Sequence, residues 1–296
     1  GWKLFRPAQT RPLAFWTFHL NYLAGGMSPL GYHCVNVLLH AANSVLVLWI
    51  ARRHLPPLAV FLAAGLFAVH PLQSEAVTYV FARSSLLATF FALLCFVAFL
   101  RRRYVWSVAA FALSLLAKEE TVALPAFLLL YDYLFVTRQD ASRVAGRRWY
   151  YAALLACAGL AAARLFYVLH SLPDPGVGFR VRGVSPTVYA LSQPRVIWRY
   201  VRLVVLPVGQ NLDYDLRPSA SLLNPPGTLI AILALAGLLV TLAVLLRREA
   251  RSAGPAPGFE TGQPWAAPAF WALGFFLLLA PSSSIIAQSD LIFEHR

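Results

Sequence analysis

Charge is what this sequence has least of. Asp, Glu, Lys and Arg make up 12% of its 296 residues, where a soluble domain carries about a quarter. A water-facing surface of ordinary composition is thereby excluded, and a bilayer is the solvent that such a chain fits. Lysine is nearly missing: Lys3 and Lys118 are two of the 25 basic residues, a bias toward arginine that points to a GC-rich, bacterial source. Methionine occurs once, at Met27, and cysteine three times. Cys34, Cys95 and Cys157 fall inside apolar stretches without metal-ligand spacing and read as small hydrophobes. The sequence also has no Gly-rich phosphate loop, no Ser-His-Asp order and no paired-cysteine motif, so no signature of a nucleotide, triad or zinc enzyme is present.

What is there is hydrophobic residue, 59% of the chain, gathered into runs of roughly the length that crosses ~30 Å of hydrocarbon as a helix. Eight such runs stand at 33–50, 56–69, 84–100, 104–117, 121–137, 149–169, 226–246 and 265–280. The expected fold is all-α, a polytopic membrane helix bundle of about eight spans. Residues 1–32 form an external juxtamembrane segment. Residues 33–296 form a transmembrane core with an external loop and interfacial helix at 170–224.

The connecting segments alternate. One set carries Arg52 and Arg53, then Arg101 to Arg103, then Arg138, Arg143, Arg147 and Arg148, then Arg247, Arg248 and Arg251. The other holds Glu75, Glu119, Glu120, Asp174, Asp213, Asp215, Asp290 and Glu294, eight of the twelve carboxylates. Short arginine-rich loops stay cytoplasmic, which puts both termini and the acidic loops outside. The net charge of +13 would suggest nucleic acid in a soluble protein; distributed among short loops it is a topology signal, and no nucleic-acid partner is expected. SAGPAPG at 252–258 reads as a cytoplasmic linker.

Four constellations carry possible chemistry. In PRVIWRYVRLVVLP, Arg195, Arg199 and Arg202 recur at i, i+4 and i+7, one stripe of a helix. Guanidinium groups match phosphate oxygens, so headgroup anchoring and a lipid-phosphate site stand side by side. On the first span, His33, Asn36, His40, Asn43 and Ser44 form a polar stripe that must face the bundle or a wet cavity; interhelical hydrogen bonding alone would explain it. In FAVHPLQSEAVTYVFARSSLLATFF, His70 ends a span and Pro71 breaks it. Glu75, Tyr79 and Arg83 then fall on one side of the next helix, as structural glue or as contacts to a polar substrate head. AKEETVALP sets Lys118, Glu119 and Glu120 on the same outer side, where Lys118 is a solvated loop charge or a phosphate contact. The Asp213-x-Asp215 spacing can hold a divalent ion, but these are ordinary turn residues; no metal and no other cofactor is expected.

FRPAQTRPLAFWTFHLNYLAGGMSPLGYHCVNVLLHAAN, FAVHPLQSEAVTYVFARSSLLATFF, LLAKEETVALPAFLLLYDYL, VRLVVLPVGQNLDYD and DLIFEHR together resemble, in order, segments of the transmembrane and tetratricopeptide-repeat O-mannosyltransferases and their bacterial relatives. The resemblance covers nearly the whole chain. It implies a C-type glycosyltransferase core that moves a hexose, mannose above all, from a polyprenyl-phosphate carrier to a Ser or Thr hydroxyl of an exported protein. It also implies an earlier span with an acidic pair in its external loop, and helical repeats after the last span. The sequence has neither, so it reads as a fragment, inactive by itself, whose catalytic residues are unassigned. The implied partners are the polyprenyl-phosphate sugar and the acceptor protein. The substrate-binding candidates are His70, Glu75, Arg83, Lys118, Glu119, Arg195, Arg199 and Arg202, in a bacterial cytoplasmic membrane with the site facing out. A lipid-linked sugar transporter or flippase, and a non-catalytic membrane scaffold, are the alternatives.

Overall fold

A computed structural model describes residues 11–171, 185–211, 216–252 and 266–283. Among them every regular element is a helix, as the sequence predicts. The expected linker at 252–258 beyond Ser252, the Asp213-x-Asp215 turn, Asp174, Asp290 and Glu294 lie outside the described residues. The chain divides into two units, Gly1–Ser171 and Leu172–Arg296.

The first unit contains α1 (Pro12–Gly25), α2 (Pro29–Ala51), α3 (Pro57–Val69), α4 (Gln73–Thr78), α5 (Arg83–Leu100), α6 (Tyr104–Ala117), α7 (Leu124–Tyr131), α8 (Ala141–Ala145) and α9 (Arg148–Ser171). Prolines open α1, α2 and α3, where a missing N–H costs nothing and the fixed φ is already helical. Gly26 joins α1 to α2 with φ of 62° and ψ of −135°, a conformation that residues with a Cβ rarely reach. Pro12–Gly25 is thus a helix within the stretch expected as an external juxtamembrane segment.

Length and composition let four helical stretches cross a membrane: Pro29–Ala51, Val80–Leu100, Arg148–Val168 and Gly227–Arg248. Such helices make the chain an integral membrane protein. Pro57–Val69, Tyr104–Ala117 and Pro268–Leu279 are apolar but shorter. The remaining expected span, 121–137, is not one helix. A 3-10 turn at Glu119–Ala123 leads into α7, and α7 ends in a π-helical turn at Asp132–Val136. Pro125 lacks the N–H that an earlier turn would bond, so the α-helix starts there. At the other end the wide turn lets the Thr137 backbone N–H and hydroxyl both donate to the Asp132 carbonyl, at 2.8 and 3.0 Å.

Cross-contacts define two ends of the first unit. At one, Arg101 lies over the Trp49 ring, 4.8 Å from its centroid, and the His54 ring meets Tyr131 edge-on at 5.8 Å. At the other, the amide of Asn36 meets the carbonyls of Val77 and Tyr79, and Lys118 meets Ser85. The arginine-rich loops therefore gather at the first end, and His70, Glu75, Lys118 and Glu119 at the second. Asp132, fully buried, sits at the arginine-rich end. It accepts from Nη1 of Arg147 and, at 2.7 Å, from the Tyr151 hydroxyl.

The second unit contains α10 (Pro186–Val205), α11 (Gly227–Ser252) and α12 (Ala266–Leu279). The Ser185 hydroxyl caps α10 by accepting from the Val188 N–H at 3.2 Å. Trp198 Nε1 then donates to the Ala231 carbonyl of α11 at 3.0 Å.

Asp132→Asn removes the buried member of a pair whose other member, Arg147, is half-buried, and costs about 1 to 3 kcal/mol; thermal unfolding in nanodiscs should show a fall in Tm, and an unchanged Tm would refute the pairing. His54 gives a pH signature. Burial, and then the positive Arg53 beside it, push its imidazole from 6.5 down to about 4. The folded protein therefore holds the ring neutral, and its stability is complete above 6.5 and declines as pH falls toward about 4. Tm measured across that window should fall, and His54→Phe should flatten the slope there.

Candidate functional site

At the acidic end of the first unit, α3 stops because His70 precedes a proline, which forces extended backbone, φ −63° and ψ 130°. The His70 Nδ1 accepts from the Leu72 N–H at 3.2 Å. That contact leaves the ring proton on Nε2 in the neutral form. The chain makes the single turn α4, passes through extended Tyr79 and a 3-10 turn at Val80–Ala82, and enters α5 at Arg83.

Arg83 is 0% exposed and has no carboxylate among its described hydrogen-bond partners. Its Nε donates to Asn36 Oδ1 at 2.9 Å, Nη1 to Asn21 Oδ1 and the Thr17 hydroxyl, and Nη2 to the Tyr32 carbonyl at 2.8 Å. The rings of Phe18 and Tyr32 flank the guanidinium, with centroids at 4.6 and 5.6 Å. Oxygens and ring faces replace water for a cation that hydrocarbon would not hold. Arg83 is thus the pin joining α1, α2 and α5, and its described donors are directed at the protein.

The polar stripe of α2 has the same character. Asn36, fully buried, turns its Nδ2 to the carbonyls of Val77 and Tyr79 at 3.3 and 3.4 Å. Asn43 Nδ2 donates to the Leu86 carbonyl at 3.1 Å, and His40 Nε2 lies 2.9 Å from the Ala68 carbonyl. Interhelical hydrogen bonding is therefore what this stripe does. It meets backbone carbonyls at the end of α3, at the α4–α5 junction and in the first turn of α5.

Lys118 is 8% exposed, and its ammonium reaches Ser85 Oγ at 3.0 Å and Glu120 at 2.9 Å. It is not the solvated loop charge that was one reading of the sequence. Glu75 and His70 are half-buried. Glu119, also half-buried, lines a cavity of about 220 Å³ between α6 and α9, together with Arg164.

Arg195, Arg199 and Arg202 lie in the second unit. They share one face of α10, which flanks the buried stripe of Tyr189, Ser192, Val196 and Leu203. Arg195 Nη1 donates to the Arg217 carbonyl at 2.9 Å and to Ser219 Oγ at 3.4 Å, and Arg202 Nη2 to the Val208 carbonyl at 3.3 Å. Arg195 and Arg199 are half-buried and Arg202 is exposed.

Sequence reasoning missed three sets of residues. Thr17 and Asn21, four apart on α1, form half the cage around Arg83; their i, i+4 spacing was the available signal. Arg147 and Tyr151, again four apart, close on Asp132. Arg164 shares a cavity with Glu119 only once α6 and α9 are packed. Among the described residues, no group of three His, Cys, Asp or Glu side chains is arranged to hold a metal ion.

No protein-family profile matches the chain, and no solved structure matches it. Curated proteins do. The chain is 50% identical over 92 residues to Protein O-mannosyl-transferase Tmtc1 of Drosophila melanogaster, covering 31% of this chain and 11% of that protein. It is 36% identical over 202 residues to Protein O-mannosyl-transferase Tmtc2 of the same species, covering 68% of this chain and 19% of that protein. To human Protein O-mannosyl-transferase TMTC4 it is 34% identical over 155 residues, covering 43% and 21%. Its homologues are protein O-mannosyl-transferases. They are glycosyltransferases by name, in keeping with the resemblance read from the sequence, and those matched are metazoan. The chain spans between 11% and 21% of the length of these three relatives.

The pin can be tested directly. Arg83→Lys keeps the charge but loses the fork, and Asn21→Leu removes one acceptor. Amide hydrogen exchange of Pro12–Gly25 should accelerate about tenfold or more in either variant, given ~1.5 to 3 kcal/mol per charged hydrogen bond. Unchanged protection of α1 would show that Arg83 does not hold it.

Proposed function

We propose that the chain is the membrane core of a protein O-mannosyl-transferase, carrying mannose from a polyprenyl-phosphate lipid to a Ser or Thr hydroxyl of an exported protein. The observation that carries this reading is the 36% identity over 202 residues to a curated protein O-mannosyl-transferase. The sorting of charge between the two ends of the first unit supports it: short arginine-rich loops belong on the cytoplasmic face, so His70, Glu75, Lys118 and Glu119 belong on the other, where exported acceptors are met.

The chemistry asks for little from the protein besides position and charge. The acceptor hydroxyl attacks the anomeric carbon as the bond to the carrier phosphate breaks, with inversion; its proton passes to a general base or to water, and the carrier leaves as a phosphate dianion. Fixed cations near that oxygen lower the barrier. Arg199, with Arg195 and Arg202 beside it, has the geometry for a phosphate approached along one helix face. His70 and Glu75 fit the hydroxyl-bearing sugar or acceptor. Arg83 acts through the helices that it joins. No residue of this chain is assigned as catalytic base.

One observation favours a transporter as the second reading: the segment 119–136 is broken into three kinds of turn and holds the buried Asp132, and discontinuous helices with charges mark transporters. The breaks stand at the ends of α7, however, and Asp132 is closed off by Arg147 and Tyr151.

The assay is label transfer from radiolabelled polyprenyl-phosphate mannose to a secreted acceptor by the full-length gene product in membranes. Arg199→Gln should lower transfer roughly tenfold or more, with partial recovery in Arg199→Lys. Full activity in Arg199→Gln would remove α10 from the donor site. Wild-type membranes that transfer no polyprenyl-linked sugar would shift the assignment to transport or scaffolding.

A further inference from the structure

The cavity between α6 and α9 is built from two stripes. Ala112, Leu115 and Leu116 of α6 run down to Glu119, and Cys157, Leu160 and Ala161 of α9 run down to Arg164. Cys157, Leu160, Ala161 and Arg164 recur at i, i+3, i+4 and i+7 on one face of α9, and Ala112, Leu115 and Leu116 at i, i+3 and i+4 on one face of α6; Glu119 follows in the 3-10 turn after α6 ends at Ala117. The walls are almost wholly apolar, and Leu116 and Leu160 at their rim are 40% and 73% exposed. In a bilayer such a rim faces hydrocarbon. Both charged residues line the cavity, Glu119 just beyond the end of α6 and Arg164 in the last turns of α9, a level that suits a lipid headgroup.

An apolar crevice open to lipid, with a carboxylate and a guanidinium at its mouth, has a specific complement. The guanidinium matches a phosphate diester. The carboxylate matches a group that donates hydrogen bonds and carries positive charge. A lipid with phosphate alone would bring a second negative charge against Glu119, which is unfavourable in a medium of low dielectric. A choline head has the positive charge but no N–H to donate. A primary ammonium has three. We propose that the α6–α9 crevice is a binding site for an aminophospholipid of the phosphatidylethanolamine class, with one acyl chain between the helices, the phosphate on Arg164 and the ammonium on Glu119. This site goes beyond the transfer reaction and stands without it. The carboxylate also separates it from a polyprenyl-phosphate site, whose dianionic head Glu119 would repel.

The test uses the full chain in phosphatidylcholine nanodiscs doped with phosphatidylethanolamine, phosphatidylglycerol or a polyprenyl phosphate, with retained lipid measured by native mass spectrometry. Wild type should retain phosphatidylethanolamine over phosphatidylglycerol by about tenfold, the worth of one charge-assisted hydrogen bond. Glu119→Gln, nearly the same shape on a half-buried side chain, should erase that preference without changing Tm. Arg164→Gln should weaken both lipids alike, and Leu160→Trp should fill the crevice and release them. Equal retention of the two lipids by wild type, or a preference that survives Glu119→Gln, would overturn the proposal. Displacement of phosphatidylethanolamine by polyprenyl phosphate would also overturn it, because the crevice would then be a carrier site.

Discussion

The first unit depends on how the Arg83 cation is kept inside the bundle with no carboxylate among its described hydrogen-bond partners. Moving a guanidinium out of water is expensive, and pairing it with a buried carboxylate often fails to recover the cost. Arg83 is held instead by amide, hydroxyl and carbonyl oxygens drawn from α1 and α2, between the faces of Phe18 and Tyr32. Each partner is neutral, so each carries a small desolvation cost of its own. The arrangement also explains why α1 belongs to the unit: without Thr17 and Asn21, two of the four described hydrogen bonds from Arg83 are gone.

The second constraint is that hydrocarbon leaves no backbone group unpaired. Interruptions are tolerated only where a side chain fills in. Asn36 fills in beside the α4–α5 junction, His40 at the end of α3 and Thr137 at the π turn, while Asn43 adds a bond to the first turn of the unbroken α5. Three of these are the residues that make α2 look like a polar, functional stripe when only its sequence is read. Because most interruptions fall at helix ends, the break points cluster in the same two layers as the charges. An outer layer with turns, a histidine and carboxylates is a consequence of helix termination as much as of function.

The helix pattern was legible to within a few residues. Tyr104–Ala117 matches the expected 104–117, and Arg83–Leu100 the expected 84–100, because the flanking arginines and His70-Pro71 are strong punctuation. The break in 121–137 was less visible, since Pro125 is tolerated in a first turn and nothing in hydropathy marks a π turn. α1 was missed because Thr17, His19 and Asn21 dilute its hydropathy, although those polar groups include the partners that Arg83 needs. The candidate site was legible as residues and not as roles. Periodicity can say that Arg83, Lys118 and Glu119 share an outer layer. It cannot say that Arg83 turns inward to Asn36, that Lys118 closes on Glu120 and Ser85, or that Glu119 borders α9.

That difference sorts the charges by what they can still do. Asp132, Arg83 and Lys118 are buried and held by several protein groups, so recruiting any of them to a ligand would first break those contacts; their natural role is positional. Glu75, Glu119, Arg164, Arg195 and Arg199 are half-buried, close enough to apolar surface for the dielectric to fall, with part of each side chain still facing outward. Electrostatic catalysis requires that combination: the charge must be fixed before the reaction and must stand where the developing charge can feel it. In this chain the rigid pins and the reachable charges sit close together along the chain, α5 beside α6 and α9 for one unit and α10 for the other. A substitution at a pin therefore acts on chemistry only through geometry, whereas one at a half-buried charge acts on it through the field.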